Sequence, residues 1–339
     1  MIDYDRTKKI LDRFLNWYHR SMKMFARHML QGAEWSSFQQ ALGKEVIERS
    51  GSGWSYVAVV EKGYGKLGKH FSRLYVQYGP YAETKADLKK ALEDLEGLAK
   101  SRGVDYVRVE PILSPMSVVD LKPQGYQKQK RTFQPEHTNW VDLEKSDEEI
   151  VASFNATNRT AWRNAEKRGQ QFEVVHEEAD SVDFLHMMKL TAERTGSKFR
   201  DDHYLRTLIK ALGHEKCAGV IYVSFEGKRI ASALYVDDRQ GSTRYYMYAG
   251  TEEEARKQGA NGTLVSYLIV NAKENGLKRV DLFGVSPADA GDSHPWAGFS
   301  KFKRSYGGED VTFSGTWEKP VHSQRYFIMK LARTLAKKG

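Results

Sequence analysis

At 339 residues, with 40% hydrophobic and 29% charged residues, the chain has the composition of a folded protein long enough for two cores, which excludes general disorder. Lys and Arg number 53 against 44 Asp and Glu, and the formal charge of +9 favours a polyanionic partner: nucleic acid, an anionic membrane surface or a phosphorylated small substrate. Cys217 is the only cysteine, which rules out an internal disulfide and a multi-cysteine metal site, and no window reaches the roughly 18 apolar residues of a membrane span. A cytoplasmic protein, neither secreted nor membrane-integral, is the expectation.

The first 30 residues place Ile10, Leu11, Phe14, Leu15, Tyr18, Met22, Phe25 and Met29 at steps of three and four with cations between them, an amphipathic helix that faces a core or a membrane surface. Strand-like runs follow at 54–61 and 72–78, then a helix from Thr84 to about 101 closed before Gly103, then a strand at 104–110. The same order recurs with runs at 217–225, 229–236 and 243–249, a helix over about 261–275 and a strand at 278–283. Two similar α/β units are expected. Between them, 146–213 reads as helical, entered through the capping-box pair Ser146 and Glu149. Within it, a helix over 156–168 would align Arg159, Arg163 and Lys167 as a basic ridge suited to phosphates, or as a solvated face. A last helix in 319–339 is expected to turn Phe327, Ile328, Leu331 and Leu335 inward. No low-complexity linker separates the units, so a shared interdomain groove is the natural ligand site.

Familiar catalytic signatures are missing: there is no P-loop, His-Glu-x-x-His, Gly-x-Ser-x-Gly or Rossmann glycine triplet, and no metal is assigned. The run Arg256-Lys257-Gln258-Gly259-Ala260-Asn261-Gly262 resembles the pyrophosphate loop of acetyl-CoA-dependent N-acetyltransferases, with Asn261 where those enzymes want Gly or Ala. It reads equally well as a turn and helix start.

A more specific set is spread over residues 30–318. It comprises Gln31-x-x-x-Trp35-x-x-Phe38, Tyr78-Gly79-Pro80, Val109-Glu110-Pro111, Phe199-Arg200 with Tyr204, Tyr246-Met247-Tyr248-Ala249-Gly250, Asp281-Leu282-Phe283-Gly284, and the run Gly298 to Gly308 that holds Phe302-Lys303. In this order and spacing the pieces resemble the Fem family of peptidoglycan-bridge aminoacyltransferases. The resemblance implies two tandem domains similar to the N-acetyltransferase (GNAT) fold, an α/β (α+β) class, and since no long heptad insertion interrupts the second unit, no coiled-coil arm is expected. Residues 1–142 with 315–339 would form the precursor-binding domain and 143–314 the aminoacyl-tRNA and catalytic domain.

The resemblance further implies an aminoacyl-tRNA donor and, as acceptor, the stem-peptide amine of a UDP-MurNAc-pentapeptide or of lipid II. No cofactor is expected, because the donor ester already carries the activation energy. Lys303 matches the lysine implicated with the tRNA acceptor end and the tetrahedral intermediate, a point cation that can also give a proton. Arg200 and Tyr204 match the pair that grips the precursor phosphates. Glu110 stands where an acidic residue orients the acceptor amine or takes its proton, and Tyr78 and Tyr248 either line the same groove or pack as core aromatics. Lys301 and Arg304, beside Lys303, join Arg159, Arg163 and Lys167 as candidate tRNA contacts, while Trp296 and Phe299 are read as packing residues. The sequence departs from the family in having Ser36-Ser37-Phe38-Gln39 after Trp35, with Lys44 further on, and Thr316 where an acid is frequent, with Glu318 nearby. Peripheral contact with the inner membrane face is left open by the N-terminal helix. The rival readings are an acyl-CoA-dependent N-acyltransferase and a non-catalytic RNA- or membrane-binding relative.

Overall fold

A computed structural model describes residues 27–63, 69–113 and 117–335. The amphipathic helix expected at the N-terminus falls almost wholly outside the described residues, of which the first element is a 3-10 turn, Met29–Gln31. The architecture is mixed α/β with two sheets, the fold class expected from the sequence. The described residues fall into two compact units, one drawn from Met1–Gln31, Ile47–Gln134 and Thr312–Gly339, the other from Gly32–Val46 and Pro135–Val311.

In the first unit the strands run in the order Val46–Gly51, Trp54–Lys62, Ser72–Val76, Tyr106–Val109, Trp317–Pro320 and Gln127–Lys128, with Tyr81–Ala82 paired to Trp54–Lys62 beside this path. Ser72–Val76 and Tyr106–Val109 are parallel and joined through the helix Lys85–Ser101. That helix starts where it should: the Thr84 hydroxyl accepts the Asp87 amide at 3.1 Å. Its Leu88, Leu92, Leu95 and Leu98 recur at helical spacing and are buried in one core with Tyr56, Leu74, Val107 and Trp317.

A charged layer runs through this unit. Arg108 and Glu318 are both fully buried and face each other across adjacent strands, the Arg108 Nε donating to Glu318 Oε1 at 2.9 Å. Phe133 lies flat on the guanidinium at 3.3 Å, and the Tyr326 hydroxyl donates to the other Glu318 oxygen at 2.7 Å. Both Glu318 oxygens are filled while Arg108 Nη1 is buried without a hydrogen-bond partner, and removing Glu318 would leave the whole guanidinium charge unpaired.

The last helix, Ser323–Leu335, is set on this unit by Tyr326 and Met329, which are buried, and by an ion pair from Arg325 to Asp105. The expectation for its apolar face is overturned at Phe327, Ile328 and Leu331, which are exposed because the helix uses the opposite stripe for packing, while the Leu335 side chain lies outside the described residues.

The second sheet has the order Glu309–Thr312, His137–Asp142, Arg279–Asp281, Thr243–Thr251, Lys228–Asp238, Ala218–Phe225 and Gln170–Val175. Thr243–Thr251 and Arg279–Asp281 are parallel, with the helix Ala260–Glu274 as crossover, so the strand, strand, helix, strand order repeats. The stretch 146–213 is not helical throughout. Its Gln170–Val175 forms the edge strand, where Phe172 and Val174 contribute to the core, a short period-2 pattern hidden between helices. The Ser146–Glu149 capping box is complete, with bonds of 2.9 and 3.2 Å. Gly307 has φ +75°, and a Cβ there would run into Ser153, so the chain can turn from the Ala297–Arg304 helix into the strand Glu309–Thr312 only through glycine.

Glu318→Ala should lower the stability of the first unit by about 3–5 kcal/mol by stranding Arg108 in the core. Urea unfolding of wild type and variant checks this, and equal midpoints would contradict it.

Candidate active site

The second unit brings its chemistry to the end of the strand Arg279–Asp281. Asp281 is buried, and its carboxylate accepts from the Thr138 hydroxyl, from Trp140 Nε1 at 3.0 Å and from the Phe283 amide at 2.7 Å. Burial raises its pKa, and these donors together with Lys303 oppose the rise. Just beyond, Phe283 adopts φ +59°, a left-handed conformation that bulky residues rarely occupy and that sites with a function tend to retain.

The carbonyls of Phe283 and Gly284 both accept from Lys303 Nζ, each at 3.0 Å. Lys303 projects from the helix Ala297–Arg304, is 3% exposed, and has Nζ 4.0 Å from the Phe299 ring centroid and 5.7 Å from that of Tyr246. It is not part of a solvated turn. Burial pushes its pKa down to about 7, with the Asp281 carboxylate pulling the other way. Two carbonyls occupy two of the three ammonium N–H groups. Among the described residues the third has no oxygen acceptor, and it lies beside a half-exposed aromatic ring.

Trp296, Phe299 and Lys303 stand at i, i+3 and i+7 and share one face of that helix. The expectation that the two aromatics are packing residues is corrected: Trp296 is 43% and Phe299 50% exposed. Their spacing from Lys303 was the signal for this. Asp281, Phe283 and Gly284 belonged to a recognised sequence piece but carried no expected role, because backbone carbonyls leave no trace in side-chain identity.

Arg200, Tyr204 and Tyr248 come together as a second cluster in the same unit. The exposed Arg200 guanidinium lies 4.7 Å from the Tyr204 ring centroid, and Tyr248, its hydroxyl raised in pKa by burial, is in reach of both. Tyr204 also meets Phe38 edge-on at 5.0 Å, and Phe38 meets Trp35 at 4.9 Å, which ties the Ala33–Ala41 helix to the Asp202–Gly213 helix. A register shift at Leu234/Tyr235, opposite Met247, gives Tyr246 and Tyr248 different surroundings although they are two residues apart. Lys44 donates to Gln39 at 2.9 Å.

The expected basic ridge does not form. The helix ends at Arg163, Lys167 sits in the separate turn Glu166–Arg168, and Arg159 donates to the carbonyls of Ala152 and Phe154 at 3.0 and 2.8 Å. Arg163 and Lys167 are exposed. Lys301 is exposed, whereas Arg304 is engaged with Asp310 at 2.7 Å and with the Ser286 carbonyl at 2.6 Å. In the 256–262 run Gln170 donates to the Gln258 carbonyl at 2.7 Å and Tyr306 to that of Gly262 at 3.0 Å, while Arg256, Lys257 and Asn261 are exposed.

In the first unit Glu110 is buried with both oxygens used, accepting from Tyr75 at 2.8 Å, from the Gln134 amide at 3.0 Å and from Thr316 at 2.6 Å. Burial raises its pKa against those donors and Arg108. Thr316, a departure from the family pattern, thus serves the Glu110 carboxylate. Tyr78 is buried, with His28 and Phe313 rings 4.1 and 5.1 Å away.

The Lys303 shift has a consequence for stability. Between about pH 7 and pH 10.5 the unfolded chain holds a proton on this lysine that the folded chain has lost, so stability rises with pH over that window. The stability of wild type relative to Lys303→Met should therefore improve by about 3 kcal/mol from pH 7 to pH 9.5. Urea melts at both values check it, and a constant difference would contradict the assigned burial.

The sequence matches the FemAB family over residues 115–226 and 223–334. The "Lipid II:glycine glycyltransferase" of Staphylococcus haemolyticus (strain JCSC1435) is 29% identical over 174 residues, 47% of this chain and 41% of that protein. The protein of the same name from Staphylococcus aureus is 24% identical over 330 residues, 90% of this chain and 77% of that protein. The chain thus spans less than half the length of the S. haemolyticus relative. Among solved structures, FemX superposes with a TM-score of 0.76 at 20% identity, covering 89% of this chain and 94% of that one. L-PGS from Bacillus licheniformis superposes at 0.53 and 17%, covering 91% and 94%. These likenesses show the fold. With the family match running from residue 115 to residue 334, more than half of the chain, the chain belongs to the FemAB family.

Proposed function

We propose that the chain is an aminoacyltransferase that moves an amino acid from aminoacyl-tRNA onto the stem-peptide amine of a peptidoglycan precursor. The observation that carries this reading is the buried Lys303 ammonium, held by two carbonyls with one N–H left over. The acceptor amine attacks the ester carbonyl carbon, the carbonyl electrons move to oxygen, and the third N–H of Lys303 donates to that oxyanion. As the intermediate collapses, the bond to the ribose oxygen breaks. A lysine with pKa about 7 gives its proton to the departing alkoxide and takes up the one released by the amine, so protons balance.

Glycine is the first donor amino acid to test and lipid II the first acceptor, since the curated relatives are named for both. The net charge of +9 suits a donor and an acceptor that are both polyanions. The exposed faces of Trp296 and Phe299 offer a stacking surface for the terminal bases of the donor, with Lys301 available to phosphate. Arg200, Tyr204 and Tyr248 are the proposed grip on the precursor phosphates, and Glu110 is proposed to orient the acceptor amine.

Transfer of radiolabelled glycine from charged tRNA to lipid II and to UDP-MurNAc-pentapeptide tests the proposal. Wild type should label one of them, Lys303→Met should lose about 10²-fold or more in kcat, and Trp296→Ala with Phe299→Ala should raise KM for the tRNA by about tenfold or more. Consumption of acetyl-CoA with no transfer from tRNA would replace the reading.

A further inference from the structure

The Ser323–Leu335 helix is amphipathic in a direction its own unit does not use. Tyr326 and Met329 face the sheet, the Tyr326 hydroxyl bonded to Glu318 and its ring 5.3 Å from Tyr106. Phe327, Ile328 and Leu331 project from the other side and are 69%, 55% and 51% exposed. At i, i+1 and i+4 they form one continuous apolar stripe. No other helix among the described residues leaves three large apolar side chains so open.

The charge around the stripe narrows what can cover it. Residues 323–339 carry Arg325, Lys330, Arg333, Lys337 and Lys338 and no acid. A second copy of this chain brings the same basic helix and a formal charge of +9, so pairing two such faces sets like charges together. The chain's own residues 1–26 have the apolar residues to cover it, yet they hold six cations against three acids. A segment that joins an open apolar stripe to four cations besides Arg325, which Asp105 holds, and to no acid matches an anionic lipid surface, into which apolar side chains sink while Lys and Arg meet the headgroups. Each cation near such a surface adds attraction that salt screens.

We infer that the Phe327, Ile328 and Leu331 face of this helix docks the protein on an anionic membrane surface. The binding stands on the helix alone; its purpose, bringing the site to a lipid-linked acceptor, rests on the function proposed above. No helix among the described residues is long and apolar enough to cross a membrane.

Cosedimentation of the full chain with sucrose-loaded vesicles, of equimolar phosphatidylglycerol and phosphatidylcholine or of phosphatidylcholine alone, tests this. Wild type should bind the anionic vesicles, less so at high salt, and phosphatidylcholine weakly. The F327S/I328S/L331S variant should partition at least tenfold less while keeping its thermal midpoint, since the three positions are exposed. As a check that needs no loss of binding, L331C labelled with an environment-sensitive fluorophore should shift blue on adding anionic vesicles; native Cys217 is buried. Equal partitioning of wild type and triple variant, or no shift of the label, overturns the inference. So does a wild-type dimer that the triple substitution converts to monomer without any vesicle binding, which would make the face a self-interface. Glycine transfer to the water-soluble UDP-linked acceptor, measured on the same samples, separates the two ideas: transfer without vesicle binding removes the docking surface and leaves the proposed reaction standing.

Discussion

An ammonium group taken out of water needs oxygen partners, and the second unit is organised around supplying them to Lys303. The strand Arg279–Asp281 ends in a buried carboxylate, the backbone reverses at Phe283 with a positive φ, and two successive carbonyls point at Nζ. Desolvation alone would strip the proton, while the carbonyls and Asp281 favour keeping it. The balance leaves the lysine near the midpoint of its titration at neutral pH. A residue so poised can donate to a developing oxyanion and still exchange a proton with solvent or substrate.

The first unit solves a different problem with similar means. Its central strand carries Arg108 and, just past its end, Glu110, two residues apart and both buried. Glu318 answers the first, and Tyr75, Thr316 and the Gln134 amide answer the second. Phe133 closes over the guanidinium. The polar layer is satisfied largely by groups distant in sequence, so it fixes the register of Trp317–Pro320 against Tyr106–Val109 as well as contributing energy.

The repeated strand, strand, helix, strand order was legible because both periods were written into the chain, and in the first repeat the helix ends were marked, at Thr84 by a side-chain cap and at Gly103 by a left-handed glycine. The position of Lys303 was legible through Phe302-Lys303 and the glycines after it. Its burial was not, because Lys301, Lys303 and Arg304 read as one surface cluster until the helix turns only the middle residue inward. The Ser323–Leu335 helix shows the same limit: it holds two apolar stripes, and periodicity detects a stripe without saying which one meets a core. Arg159 escapes a reading by spacing for a further reason. A long side chain can fold back onto the carbonyls that end the preceding helix, and sequence spacing reports only where its Cα sits.

The central claim is that Lys303 titrates near neutrality inside the folded protein. With lysine labelled at Cε by carbon-13 and the Lys303 resonance assigned by its disappearance in Lys303→Met, the chemical shift should move through a midpoint of about 7 while the exposed lysines remain charged. A midpoint near the ordinary lysine value, together with the exposed lysines, would contradict a buried, desolvated ammonium at this site.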